Sequence, residues 1–401
     1  MIALEPVSAS TPRPLSALPP LSLYVHIPWC VRKCPYCDFN SHEQGNRPGG
    51  EGIDPALEQR YIAALLKDLD GALPDIWGRR IQTVFFGGGT PSLLSARALD
   101  DLLSGLRARL PLSADAEVTL EANPGTYEAG KFREFHALGI NRLSIGVQSF
   151  DDAFLRALGR IHNGGQARAA VESAARSFDN FNLDLMYALP GQSLSQALAD
   201  VESALAMHPT HLSCYHLTIE PNTVFAKYPP AVPDDDSAAD MQEAIETRLH
   251  AAGFENYETS AFARPGRRCR HNLNYWCFGD YLGLGAGAHG KISFPERIVR
   301  QARHRAPADY LRHAEEDSPV ATSTVIAVDD LPFEFMMNAL RLSHGFEARL
   351  FEERTGLNLA AIIPILDRSE ADGLIVRDHL RIAPTAKGQR FLNDVLQRFL
   401  R

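Results

Sequence analysis

No stretch of the chain approaches the eighteen or so consecutive apolar residues that a membrane-spanning helix needs, which argues against an integral membrane protein. Basic charge is not in surplus either. The 40 Lys and Arg face 49 Asp and Glu, a formal charge of −9, whereas a dedicated nucleic-acid binder normally carries a basic footprint. Met1 to Pro20 holds five prolines and no continuous apolar core, and is expected to be a disordered arm and not a secretory signal. Without export the protein is expected in the cytoplasm, with its cysteines as reduced thiols. Clustered cysteines then mean metal and not disulfide. What the chain does have is 45% hydrophobic residues in 401, enough for one large domain and one or two smaller ones.

Short apolar, β-branched segments recur with helical patterns between them. The expected strands are Leu21–Ile27, Thr83–Phe86, Glu117–Leu120, Arg142–Val147, Asn182–Tyr187 and Leu212–Ile219. Helical periodicity fills the gaps over Leu57–Leu73, Ala96–Leu110, Lys131–Leu138, Ala167–Ser177 and Ser195–Met207. Such alternation implies parallel strands with right-handed crossovers. Six units make an α/β fold, an open (β/α)6 partial TIM barrel, with a doubly wound sheet as the runner-up. Four prolines between residues 221 and 240 mark its end. The expected organisation is an arm at 1–20, a barrel at 21–230, a middle region at 231–325 and a small helical or winged-helix-like domain at 326–401.

Three of the six cysteines fall within eight residues, as Cys30-Val-Arg-Lys-Cys34-Pro-Tyr-Cys37, directly after the first expected strand. Three thiolates on one loop can hold three irons of a [4Fe–4S] cluster. No fourth cysteine follows nearby, so one iron is left open for a small ligand. An open iron that chelates the amino and carboxylate groups of S-adenosylmethionine (SAM) is the signature of the radical SAM superfamily, which this segment resembles. The plainer alternative is a Cys3His zinc site using His26 or His42, or three ordinary cysteines.

Function in a β/α barrel gathers at the C-terminal ends of the strands. Gly87-Gly88-Gly89-Thr90-Pro91 ends the second expected strand, Glu121 the third and Gln148 the fourth, while Asp184 lies within the fifth. Glycines let the backbone approach a ligand closely, and the polar groups can take hydroxyls and ammonium groups. Each also has a plain reading, as a turn or a solvated strand end. Together with Tyr24-x-His26-x-Pro28-x-Cys30, Leu120-Glu121-Ala122-Asn123-Pro124, Gly146-Val147-Gln148-Ser149-Phe150 and Leu183-Asp184-Leu185-Met186-Tyr187, these segments resemble the oxygen-independent coproporphyrinogen III dehydrogenase (oxidase) family of radical SAM proteins. The resemblance runs from about residue 20 to the C-terminus. It implies that Cys30, Cys34 and Cys37 ligate the cluster. It further implies that Tyr24, Tyr36, Gly88, Gly89, Thr90, Glu121, Gln148, Arg160 and Asp184 line SAM sites.

Two departures separate the chain from the dehydrogenases themselves. Phe39 stands where their pattern carries a further cysteine, and the arm before the loop is short and proline-rich. By contrast, His271-Asn272-Leu273-Asn274-Tyr275-Trp276 matches the His-Asn-x-x-Tyr-Trp motif of the heme chaperone (HemW-type) branch of the family. That branch delivers heme to respiratory proteins. The match implies a heme site at His271, Asn272, Tyr275 and Trp276, with His271 the preferred axial ligand and Cys269 or Cys277 the alternatives. Arg264, Arg267, Arg268 and Arg270 are on hand for propionates. The plain reading is a buried Tyr-Trp pair and a capping histidine. The formal G-x-G-x-x-G at Gly285, Gly287 and Gly290 lacks a following helix, so a dinucleotide site is rejected in favour of a tight loop facing the SAM cavity, with His289 an unassigned candidate ligand. The reading is therefore a cytoplasmic heme carrier holding a [4Fe–4S] cluster, SAM and heme. Its alternative is a radical SAM enzyme acting on a porphyrin. Oligomeric state stays open, a homodimer included.

Overall fold

The computed structural model describes residues 12–44 and 52–400. Residues 1–11 of the expected arm and most of the Gly/Pro-rich stretch Glu43 to Gly52 lie outside them. Within the arm, Arg13 and Leu15 donate backbone hydrogen bonds to Gly356 and Pro295, so residues 12–20 run along the molecule and do not hang free.

Six parallel strands follow in order: β1 (Leu21–Ile27), β2 (Ile81–Gly88), β3 (Leu112–Ala122), β4 (Arg142–Gln148), β5 (Phe181–Tyr187) and β6 (His211–His216). Each pairs with its successor in the chain. A doubly wound sheet would reverse its order midway, and no reversal occurs among these six, so the open barrel stands. Five long helices make the crossovers: α1 (Pro55–Ile76), α2 (Ala96–Arg109), α3 (Thr126–Leu138), α4 (Gly164–Ser177) and α5 (Leu194–Leu205). Four of their starts are chemically fixed, as Asp54, Ser95, Asn163 and Ser193 each cap the next helix with a side-chain oxygen.

Alternation along the strands sorts the two faces. Leu23, Val25, Val84, Phe86, Leu120, Ile145 and Leu183 point outward into the main core against the helices. The opposite parity, from Ser22 through Thr83, Glu117, Arg142, Asn182 and His211, fills the lumen with polar groups. Several of them bond one another: Thr83 bonds Ser22 at 2.8 Å, and Asn182 bonds Ser144, Asp184, His211 and Ser213.

The sheet continues past both barrel edges. After α6 (Val224–Lys227) and α7 (Asp235–Ala251), β7 (Glu255–Glu258) and β8 (Ala261–Ala263) extend the β6 edge antiparallel. Helix α8 (Arg270–Trp276) leads to β9 (Asp280–Leu284), which pairs parallel with β1. Strands β10 (His289–Phe294), β11 (Arg297–Arg303) and β12 (Val320–Val325) follow antiparallel, giving twelve strands in one sheet among the described residues. A strand and not a helix follows Gly290, which disposes of the dinucleotide reading. From Leu331 onward, short helices and a three-stranded antiparallel sheet, β13 (Phe346–Glu347), β14 (Ile375–Arg377) and β15 (Arg381–Pro384), enclose a second core around Phe335, Phe351 and Leu366. Phe278 and Ile298 join that core from the barrel side. Among the described residues no helix is long and apolar enough to cross a membrane.

Candidate functional site

The cysteine loop leaves β1 at Pro28 and folds back on the glycine turn that ends β2. Gly89 and Thr90 donate backbone bonds to Ile27 and Trp29 at 2.8 Å each, and a Cβ on Gly89 would sit 2.6 Å from the Trp29 carbonyl oxygen. That contact explains a glycine there without invoking a ligand. Gly88 has φ +116, and a Cβ on it would meet the His26 ring at 2.5 Å. Loop and turn are thus locked together at the C-terminal mouth of the barrel.

Each thiol has its own neighbour. Thr90 Oγ1 donates to Cys30 Sγ at 3.5 Å, the Arg160 guanidinium reaches Cys34 Sγ at 3.6 Å, and Cys37 Sγ lies 3.7 Å from Ser41 Oγ. Burial raises the Cys30 thiol's pKa, Thr90 opposes the shift, and the nearby Cys37 and Cys34 thiols add to it. Asn123 ties the sides together, donating to Thr90 Oγ1 at 2.8 Å while accepting from Arg160 at 2.6 Å. Among the described residues no three His, Cys, Asp or Glu groups converge on one ion position. A [4Fe–4S] cube asks for one thiolate per iron, and this donor set fits it: three separated thiols on one loop, with the Arg160 guanidinium beside one of them. His26 does not complete a zinc site. Its Nδ1 meets the Tyr24 hydroxyl at 3.0 Å and its Nε2 the Asn40 carbonyl at 2.9 Å.

Facing the loop are the lumen groups expected for SAM. Glu121 Oε2 accepts from Gly88 N–H at 3.1 Å; burial, then Asp184, pushes its pKa up to about 8. Asp184 accepts from Asn182 at 2.7 Å and Ser144 at 3.2 Å, and burial raises it too. Gln148 holds φ 68, rare for a residue with a Cβ, and its amide lies over Gly146. Arg160 also donates to the Gly146 carbonyl at 2.8 Å. Tyr36 packs against Phe225, whose N–H donates to Pro35 at 3.0 Å. Tyr24, Gly88, Gly89, Thr90, Glu121, Gln148, Arg160 and Asp184 therefore gather around one mouth, with Tyr36 on its wall. Asn40 and Asn123 belong with them and were not singled out from sequence. Asn123 sits inside the quoted Leu-Glu-Ala-Asn-Pro segment, whereas Asn40 offered no signal.

The His-Asn-x-x-Tyr-Trp stretch lies elsewhere. It forms α8 at the opposite, N-terminal end of the strands, packed against β1, β2 and β9. His271 is 1% exposed, with Nδ1 bonded to Thr83 at 2.7 Å and Nε2 to the Tyr275 hydroxyl at 3.1 Å. As placed, neither nitrogen is open to iron. Burial pushes the Cys269 thiol up to about 12, and its sulfur bonds Glu117 at 3.6 Å; Cys277 is half-buried near Arg354. Tyr275 meets Tyr281 edge-on at 4.5 Å, Trp276 lies beneath Arg341 at 4.4 Å, and Asn272 is half-buried. Three of the four arginines expected for propionates are engaged as well. Arg264 covers Phe254, Arg268 pairs with Glu255 and Arg270 with Asp115. The Gly285–Gly287 loop packs behind the cysteine loop, where Asn40 Nδ2 donates to Ala286 and Arg305 carbonyls at 2.9 Å each.

A thiol loop and a polar mouth on a partial barrel define a radical SAM protein. Consistently, residues 24–204 match the Radical SAM superfamily and residues 326–391 the HemN C-terminal domain. The coproporphyrinogen III oxidase HemN of Escherichia coli, a radical SAM enzyme, shares the fold, with a TM-score of 0.80 at 24% identity over 98% of this chain and 92% of that one. Heme chaperone HemW of E. coli K12 is 50% identical over 96% of this chain and 99% of its own. The Haemophilus influenzae and Bacillus subtilis HemW proteins are 46% and 35% identical over 96% and 94% of this chain and 98% and 99% of theirs. The chain belongs to the heme chaperone HemW family.

Proposed function

We propose that this protein is a heme carrier of the cytoplasm that keeps a [4Fe–4S] cluster and SAM at its barrel mouth and passes heme to respiratory heme proteins. The observation that carries the cofactor part is the mouth itself, where three separated thiols face the glycine turn, Glu121 and Arg160. The carrier part rests on end-to-end likeness to proteins named heme chaperones. In this reading Cys30, Cys34 and Cys37 hold three irons. When bound, the cluster supplies an electron for reducing the sulfonium of SAM. Arg160 donates to the Cys34 sulfur, and Asn123, itself bonded to Thr90, holds Arg160 in line. Tyr24, Gly88, Gly89, Glu121, Gln148 and Asp184 offer the hydrogen bonds and charge that a small zwitterion needs. Residues 21–230 carry these cofactors, 231–325 close the lumen and extend the sheet, and 326–401 pack alongside.

A radical SAM enzyme acting on a porphyrin would keep the same mouth and differ in turnover. The deciding experiment is anaerobic incubation of cluster-loaded protein with SAM, reductant and either coproporphyrinogen or heme. Bound, transferable heme without porphyrin product supports the carrier. A new porphyrin product overturns it.

A further inference from the structure

The segment matching the heme motif occupies a position with its own chemistry. Helix α8 enters the lumen from below, and Glu117 receives its first turn, taking the Arg270 and His271 N–H groups at 3.1 Å each. Thr83 donates its hydroxyl proton to Ser22, so it accepts from His271 Nδ1–H. His271 Nε2 is then an acceptor, and its lone pair, the one an iron would need, is taken by the Tyr275 hydroxyl. The ring stacks on Phe85 at 5.0 Å, and Phe85 stacks on Tyr24 at 6.3 Å. From Tyr24 two hydrogen bonds, through His26 to the Asn40 carbonyl, reach the cysteine loop. A Cβ on Gly87 would touch Tyr24 and Phe85 at 3.0 Å and Glu121 at 3.2 Å, so Tyr24, Phe85 and the glycine turn can shift only together.

We propose that His271 and Tyr275 are positioning residues: they form the floor of the lumen and set Tyr24 and the glycine turn for SAM, and His271 is not a ligand of heme iron. A neutral imidazole suits the role, and burial pushes the His271 pKa down to about 3.

The inference rests on the chain binding a cluster and SAM. The test therefore starts with wild-type full-length protein, reconstituted anaerobically, whose SAM affinity is measured by calorimetry. No SAM binding by wild type overturns the cofactor reading and this inference with it. With wild-type binding established, His271→Ala is expected to weaken SAM about tenfold or more. It should also shrink the SAM-induced change in the electron paramagnetic resonance of the reduced cluster, at unchanged cluster content. His271→Asn, whose amide keeps a donor for Thr83, should recover part of both, which a purely structural loss would not do. Tyr275→Phe removes one hydroxyl at little cost in packing, and keeps the test open if His271→Ala fails to fold. It should weaken SAM and leave the Soret band of added heme unmoved. SAM affinity unchanged in Tyr275→Phe and His271→Asn, or a Soret shift in either histidine variant, overturns the proposal.

Discussion

Single side chains at the mouth carry separable tasks. Each thiol of the loop has a different neighbour, so none can stand in for another. Replacing Cys30, Cys34 or Cys37 by Ala should each abolish the cluster, measured as iron, acid-labile sulfide and visible absorption after anaerobic reconstitution. Cys214, buried on the outer face of β6, should tolerate Ala with a full cluster. A complete cluster in any loop variant would remove that cysteine from the ligand set. Glu121 predicts a pH effect of defined sign. Its carboxyl goes from about 4.5 in the unfolded chain to about 8 in the fold. The folded state therefore holds a proton the unfolded chain has lost, and stability falls as pH rises through that window. Denaturant titrations at several pH values should show this decline in wild type and a flatter profile in Glu121→Gln. Parallel profiles would assign the slope to other groups. Glu121→Ala and Asp184→Ala should weaken SAM about tenfold at near-wild-type melting temperature. Unchanged affinity would take them out of the site.

Elements, in turn, hold these side chains in register. The turn after β2 has no room for a Cβ at Gly88. Gly88→Ala should cost roughly 1–3 kcal/mol and lower SAM affinity, because φ +116 is strained and the His26 ring must move. Gly71 is the control. It is exposed within α1 with nothing within 4 Å of a built Cβ, so Gly71→Ala should stabilise by roughly 0.5–1 kcal/mol. Equal melting temperatures for the two variants would refute the strain argument. The same scale shows what a sequence can reveal. All six barrel strands and five crossover helices were legible because each carries its period locally; β6 was overextended, ending at His216 and not Ile219, as were α2 by one residue and α5 by two. The cysteine loop was legible because its donors are eight residues long in total. The lumen network was not, since Glu117 finds its partners at Cys269 and His271, more than 150 residues away. Residues 270–276 read as a motif, but nothing local says that the helix they form plugs a barrel.

For the molecule as a whole, the question is whether a porphyrin is carried or transformed. The lumen is plugged at its N-terminal end by α8, and the cysteine loop lies at its C-terminal end. Phe39, at the position where the dehydrogenase pattern has a cysteine, is 63% exposed on that mouth. Its ring faces solvent and not an enclosed chamber, which suits a cargo that must leave again. A fold that holds cluster and SAM with an exposed Phe39 ring beside them should bind heme reversibly and should not decarboxylate coproporphyrinogen. In anaerobic assays with SAM and reductant, added heme should give a stable Soret band that transfers to an apo heme protein, while coproporphyrinogen comes back unchanged. The axial ligand can be read from the same band. A shift in Cys277→Ala, the least buried of the three residues considered, would mark a thiolate, and none in Cys269→Ala is expected because that thiol is spent on Glu117. Steady formation of protoporphyrinogen would sink the carrier reading and restore the enzyme.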